Sequence, residues 1–150
     1  MAETPGGASG SRVDTAPTAT PTSPHSPLHA LRILVIEDDS ATAEALRALL
    51  AGWGHEVLVA PGGLAGAMIA RRVRPDVILC ELAMAGMDGY TTASLLGEYP
   101  ALAGIRLIAL APSDTDAVRR RSRQAGFERF VVRPVNPEEL RRVLGLPARR

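Results

Sequence analysis

At 150 residues and a formal net charge of +1, the chain has room for one domain and a tail. It sets up no long-range steering field, so charge decides neither for nor against nucleic acid or membrane. All 17 Lys and Arg positions are arginine and Cys80 is the only cysteine, which excludes lysine-dependent chemistry and an internal disulfide and fits a reducing compartment.

No apolar run approaches the roughly 18 residues a membrane-spanning helix needs. The N-terminus lacks the charged-then-apolar order of a secretion signal, so the expected location is cytoplasmic. Residues 1–30 are mostly Pro, Thr, Ala, Ser and Gly. Such a segment buries too little apolar surface to offset its ordering entropy, and is expected to be a disordered tail, passive or tethering. The folded domain is expected over 31–145, with 146–150 as a short second tail.

From Arg32 the pattern changes to short apolar runs alternating with amphipathic segments. Arg32–Ile36 reads as a strand covered on both faces. Asp39 or Ser40 caps a helix whose Leu46, Leu49, Leu50 and Trp53 recur at helical spacing, with Gly52 and Gly54 ending it. Glu56–Ala60 follows as a strand, Leu64–Val73 as a helix and Asp76–Glu81 as a third strand. Asp88 is positioned to cap a helix over Gly89–Glu98. Ile105–Leu110 and Asp114–Ala125 form the fourth strand and helix, Glu128–Val132 and Glu138–Leu144 the fifth. Five strand–helix pairs imply right-handed crossovers and a parallel sheet with helices on both faces. In such α/β sheets the site lies beyond the carboxyl ends of the strands. Glu37, Asp38 and Asp39, then Glu81, then Arg133 all fall on that edge. Carboxylates and a cation brought together there describe a pocket for phosphoryl groups and Mg²⁺.

These residues resemble the receiver (CheY-like) domain of bacterial response regulators. The likeness rests on Leu34-Val35-Ile36-Glu37-Asp38-Asp39, on Pro75 through Leu82 followed by Met87-Asp88-Gly89, and on Ala125-Gly126-Phe127 with Phe130-Val131-Val132-Arg133-Pro134. It covers Leu31 to Leu144 and implies a (βα)5 doubly wound, five-stranded parallel sheet in the order 2-1-3-4-5. In that family an acidic pair and a phosphoacceptor aspartate hold Mg²⁺, while a Ser or Thr and a Lys grip the phosphoryl group. Carried over by position, Glu37 and Asp38 keep the acidic pair. Glu81 stands at the phosphoacceptor, Ala111 at the Ser/Thr position and Arg133 at the Lys position. Ala85 replaces the usual loop proline.

Each change has a physical consequence. The extra methylene of Glu81 moves its carboxylate on the order of 1.5 Å outward, and misplacement of about 1 Å costs phosphoryl transfer around a hundredfold. Ala111 has no hydroxyl. Arg133 keeps the charge but prefers bidentate carboxylate partners. The expected arrangement is a standing Glu81–Arg133 ion pair in the space of the aspartyl phosphate. Glu37, Asp38, Glu81 and the Ala83 carbonyl are hard oxygen ligands for a weak Mg²⁺ site at most, because Mg²⁺ demands near-ideal geometry and Arg133 neutralises the cluster.

The remaining features read plainly. Cys80 is a small core residue, and Trp53, Met68 and Leu46 are core. Met84 and Met87 pack over the third strand. His25, His29 and His55 lack metal-ligand spacing. Arg119, Arg120, Arg121 and Arg123 make the fourth helix basic, a solvated face or a docking surface; the resemblance makes Arg119, Arg120, Arg123 and Phe130 an interaction face. Nucleic acid is disfavoured because stacking aromatics are absent, and membrane is not an expected partner. The sequence stops after the fifth helix, so output is expected through protein contacts.

The expected function is a stand-alone, receiver-like protein of two-component or phosphorelay signalling. It would be a phosphorylation-independent, non-enzymatic interaction module whose partner is a histidine kinase or a downstream regulator. The alternative is an active phosphoacceptor taking its group from a histidine kinase at Asp38, Asp39 or Glu81.

Overall fold

The computed structural model describes residues 30–146. Residues 1–29 and 147–150 of the expected tails, with His25 and His29, lie outside the described residues.

The elements alternate as expected: β1 (Arg32–Ile36), α1 (Ser40–Gly52), β2 (Glu56–Ala60), α2 (Gly63–Val73), β3 (Val77–Glu81), α3 (Gly89–Leu96), β4 (Arg106–Ala111), α4 (Asp116–Ala125), β5 (Arg129–Val132) and α5 (Pro137–Val143). A 3₁₀ turn over Pro100–Leu102 links α3 to β4. The strands are parallel in the order β2-β1-β3-β4-β5. This is the flavodoxin-like order, reached by winding outward in both directions from β1.

Strand alternation splits the core in two. Leu34, Ile36, Ile78, Cys80 and Ala109 face the layer of α2, α3 and α4, where Ala67, Ala70, Ala93 and Leu96 meet them. Ile33, Val35, Val77, Leu79, Ile108 and Val131 face α1 and α5, where Leu46, Leu50 and Leu140 meet them. Burying each Leu, Ile or Val among them contributes about 1.5–3 kcal/mol, so covering both faces explains why β1 and β3 read as unbroken apolar runs.

Caps set most helix starts. The Asp39 carboxylate accepts from the Thr42 amide at 2.9 Å, Asp88 accepts from the Thr91 amide at 2.8 Å, and Asn136 accepts from Glu138 N and Glu139 N. Helix α4 begins at Asp116 because Thr115 caps it by accepting from Val118 N, two residues later than Asp114 implied. Helix α3 stops at Leu96, short of Glu98, since Gly97 and the Pro100 turn end the helical run.

One core residue is corrected. Met68 is 64 % exposed, and Leu64 nearly as much. Helix α2 packs through its smallest residues, Gly63, Gly66, Ala67 and Ala70. A Cβ on Gly66 would lie 2.4 Å from Ile36 Cδ1, so the close approach to β1 turns the larger side chains outward. Trp53 is half-buried against the α1/α5 layer, with the Arg141 guanidinium 4.7 Å from its ring centre.

Candidate functional site

Three strand ends meet at the carboxyl edge. Hydrogen bonds continue the ladder past each strand: Glu37 N to Ala60 O at 3.0 Å, Leu82 N to Leu110 O at 3.0 Å and Arg133 N to Ala111 O at 2.9 Å. These bonds fix the backbones from which Glu37, Glu81 and Arg133 project.

Glu81 is fully buried. Its Oε1 accepts from Arg133 Nη1 at 2.5 Å and its Oε2 accepts from Ala83 N at 3.0 Å. A carboxylate so placed is compensated on both oxygens, which a buried charge requires. Arg133 Nη1 also lies 4.0 Å from Glu37 Oε1, so one partly exposed guanidinium serves two acids. The Arg133–Pro134 peptide is cis.

Glu37 is 2 % exposed. Its Oε2 accepts from Asp39 N at 3.1 Å, while its Oε1 has no hydrogen-bond partner. Burial pushes the Glu37 carboxyl up to about 6; the Asp39 amide and Arg133 pull against this, and Glu81 adds to it. The acid beside the ion pair is therefore largely protonated in mildly acidic solution and ionised above it.

Asp38 does not join them. It is exposed, and its Oδ2 accepts from Ala85 N at 3.1 Å, tying β1 to the loop after β3. Asp39 is occupied as the cap of α1, and its Thr42 bonds hold its carboxyl below the usual range. Among the described residues no three His, Cys, Asp or Glu side chains are grouped so as to hold a metal ion. Of the expected set of Glu37, Asp38, Glu81 and the Ala83 carbonyl, Glu37 and Glu81 meet at Arg133, which supplies positive charge there, while Asp38 is drawn to the loop. The residues present do not fit Mg²⁺.

Ala111 is fully buried at the end of β4, beside Val132 in the register, and brings no polar atom to the pocket. Gly89 sits where a Cβ would be 2.4 Å from Glu81 O and 2.7 Å from Leu82 Cα, so only glycine lets α3 start this close to β3. Met84 is buried in the intervening loop. Cys80 is buried, and burial raises its thiol well above the ordinary value, which leaves it inert.

On the flank, Arg119 pairs with Asp114 at 2.6 Å and lies 5.1 Å from the centre of the half-buried Phe130 ring. Arg120 and Arg123 are exposed. Sequence reasoning missed the contact of Arg121, which stacks 4.0 Å over Tyr90 and lies 4.0 Å from Asp88. It also missed the loop clasp through Asp38. No residue pattern carries these signals, because each depends on the path of a loop or the turn of a helix.

The sequence matches the model of the response regulator receiver domain over residues 33–145. It is 29 % identical to protein PilH of Pseudomonas aeruginosa over 73 % of this chain and 90 % of that one. It is 31 % identical to a 14.6 kDa protein of the sodA1 3′ region of Leptolyngbya boryana, over 75 % and 86 % of the two chains. The fold is similar to that of the chemotaxis protein CheY4 of Vibrio cholerae, with a TM-score of 0.74 at 21 % identity, covering 78 % of this chain and 98 % of that one. The last likeness concerns the fold alone.

Proposed function

We propose that this chain, which belongs to the response regulator receiver domain family, serves two-component signalling as a protein-interaction module whose state is set without phosphorylation. The observation that carries this reading is the Glu81–Arg133 contact at 2.5 Å on a fully buried carboxylate.

In-line phosphoryl transfer is mostly positioning and charge stabilisation. A nucleophilic carboxylate must face the incoming phosphorus, and its new negative charge must meet a metal and hydrogen-bond donors. Here both oxygens of Glu81 are engaged by Arg133 and Ala83 N. The guanidinium stands where the group would arrive, and Ala111 offers no hydroxyl to hold it. A phosphoryl group would have to break this hydrogen-bonded charge pair, whose guanidinium is 36 % exposed and whose disruption costs about 2–3 kcal/mol.

A module without that input works through its surface. Arg119, Arg120, Arg123 and Phe130 on α4 and β5 form the proposed docking face, and a signalling protein, a histidine kinase or a downstream regulator, is the proposed partner class. The matches spanning 90 % and 86 % of two relatives support a receiver working without an attached output domain. We place the folded module at 31–145 between tails at 1–30 and 146–150. Among the described residues no helix is long and apolar enough to cross a membrane, and a cytoplasmic site fits that reading.

The rival, an active phosphoacceptor, is favoured by one observation: Asp38 and Asp39 are exposed carboxylates at the same edge. Incubation with acetyl phosphate and Mg²⁺ followed by intact mass separates the two. An unmodified mass supports the fixed module; a phosphoryl adduct on the native chain overturns it.

A further inference from the structure

The groove between α4, β5 and α5 holds about 320 Å³, within the range of small-molecule sites, and it is charged rather than apolar. Ser122 lines it at 2 % exposure, and the Ser122 hydroxyl has no hydrogen-bond partner. A serine within a helix ordinarily bonds the carbonyl one turn back. This one does not, and a buried hydroxyl left open asks for a partner from elsewhere.

Around it the charges do not cancel. Two of the lining acids are spent within the fold, Asp114 on Arg119 at 2.6 Å and Glu128 on Arg106 at 2.9 Å. That leaves Glu139 against Arg123, Arg129 and Arg142, all lining the groove and all without an ion-pair partner among the described residues. The excess of two positive charges matches a phosphomonoester, which carries about −1.5 to −2 near neutral pH. Guanidinium forks and a hydroxyl are donors suited to its oxygens.

We propose that the α4–β5–α5 groove binds a small phosphate-bearing ligand, with Arg123, Arg129 and Arg142 holding the phosphate and Ser122 donating a hydrogen bond after a turn about its Cα–Cβ bond. The site is distinct from the carboxyl-edge pocket and calls for no covalent step. It goes beyond the docking reading above and depends neither on that face having a partner nor on the state of Glu81.

The test is a ¹⁵N NMR titration of the full chain with inorganic phosphate, adenosine 5′-monophosphate and adenosine. We expect the two phosphates to saturate and to move the amides of Ser122, Arg129 and Val143, while adenosine does not. The Arg123→Ala/Arg142→Ala double variant, changed only at exposed positions, should weaken binding by about tenfold or more. Ser122→Ala should weaken it severalfold while raising the melting temperature of the free protein, since an open buried hydroxyl is removed. Absence of saturation, unchanged binding by the double variant, or shifts centred on Glu81 and Arg133 would each overturn the inference. So would a poly-glutamate peptide that moves these amides where phosphate does not, because the groove would then be a protein-docking surface. Parallel intact-mass measurements show independently whether the chain is phosphorylated, so a failure of one reading is not mistaken for a failure of the other.

Discussion

Arg133 Nη1 lies 2.5 Å from Glu81 Oε1 and 4.0 Å from Glu37 Oε1, joining the ends of β1, β3 and β5 through one guanidinium. Removing it strands a buried carboxylate. Arg133→Gln is expected to destabilise the domain by about 2–3 kcal/mol. That is below the 3–5 of a fully buried broken pair, because Arg133 retains 36 % side-chain exposure and solvent screens part of the attraction. Urea unfolding of the variant against the native chain measures this. An unchanged midpoint would mean that the contact contributes nothing.

Glu37 gives a pH dependence of definite sign. Its carboxyl is raised from 4.5 to about 6 by burial, opposed by the Asp39 amide. A raised folded value means a contribution that is complete below pH 4.5 and lost as pH rises through about 6. The loss is on the order of 2 kcal/mol. Glu37→Gln imitates the protonated acid, so it should stabilise the protein at pH 7.5 and change little at pH 4.5. Thermal unfolding at both values decides it, and equal effects at the two would count against the assignment.

His55 has the opposite sign. Its Nδ1 accepts from Leu31 N at 3.0 Å, and its Nε2 is buried without a partner. Burial, with Arg141 nearby, lowers its value from 6.5. Its contribution is therefore present above pH 6.5 and lost as pH falls through the folded value. His55→Gln keeps an acceptor for Leu31 N, and its stability should fall less steeply than that of the native chain below pH 6.5. A parallel fall in both proteins would show that His55 does not drive it.

Gly89→Ala places a methyl 2.4 Å from Glu81 O and 2.7 Å from Leu82 Cα. Both are backbone atoms that cannot swing aside. We expect a loss of about 2 kcal/mol from overpacking, read by urea unfolding. Gly97→Ala, whose nearest neighbours would be at 3.4 Å and 3.5 Å, is the milder control. Equal losses would show that the close approach is not what matters.

The fold was legible where local pattern and burial agree. β1 and β2 have the bounds the apolar runs imply, because turn and cap residues bracket runs that must be covered. α2 was legible as a helix but not in its rotation: Met68 satisfies helical spacing, yet the contact of Gly66 with Ile36 sets which face is buried. The meeting of Glu81 and Arg133 was legible, since Glu81 ends β3 and Arg133 directly follows β5. The departure of Asp38 toward Ala85 N, the open oxygen of Glu37 and the unpartnered hydroxyl of Ser122 were not. These depend on a loop path and on side-chain geometry, which spacing does not encode.

The most direct measurement is side-chain ¹⁵N NMR of Arg133 in the native chain and in Glu81→Gln, each with and without Mg²⁺. Guanidinium signals that are resolved, slow to rotate, indifferent to magnesium and lost on Glu81→Gln are expected if the arginine is held against the acid. Rapidly rotating signals that Glu81→Gln leaves alone, with magnesium shifting the amides of Glu37, Asp38 and Ala83, would show an open metal-binding pocket and contradict the account.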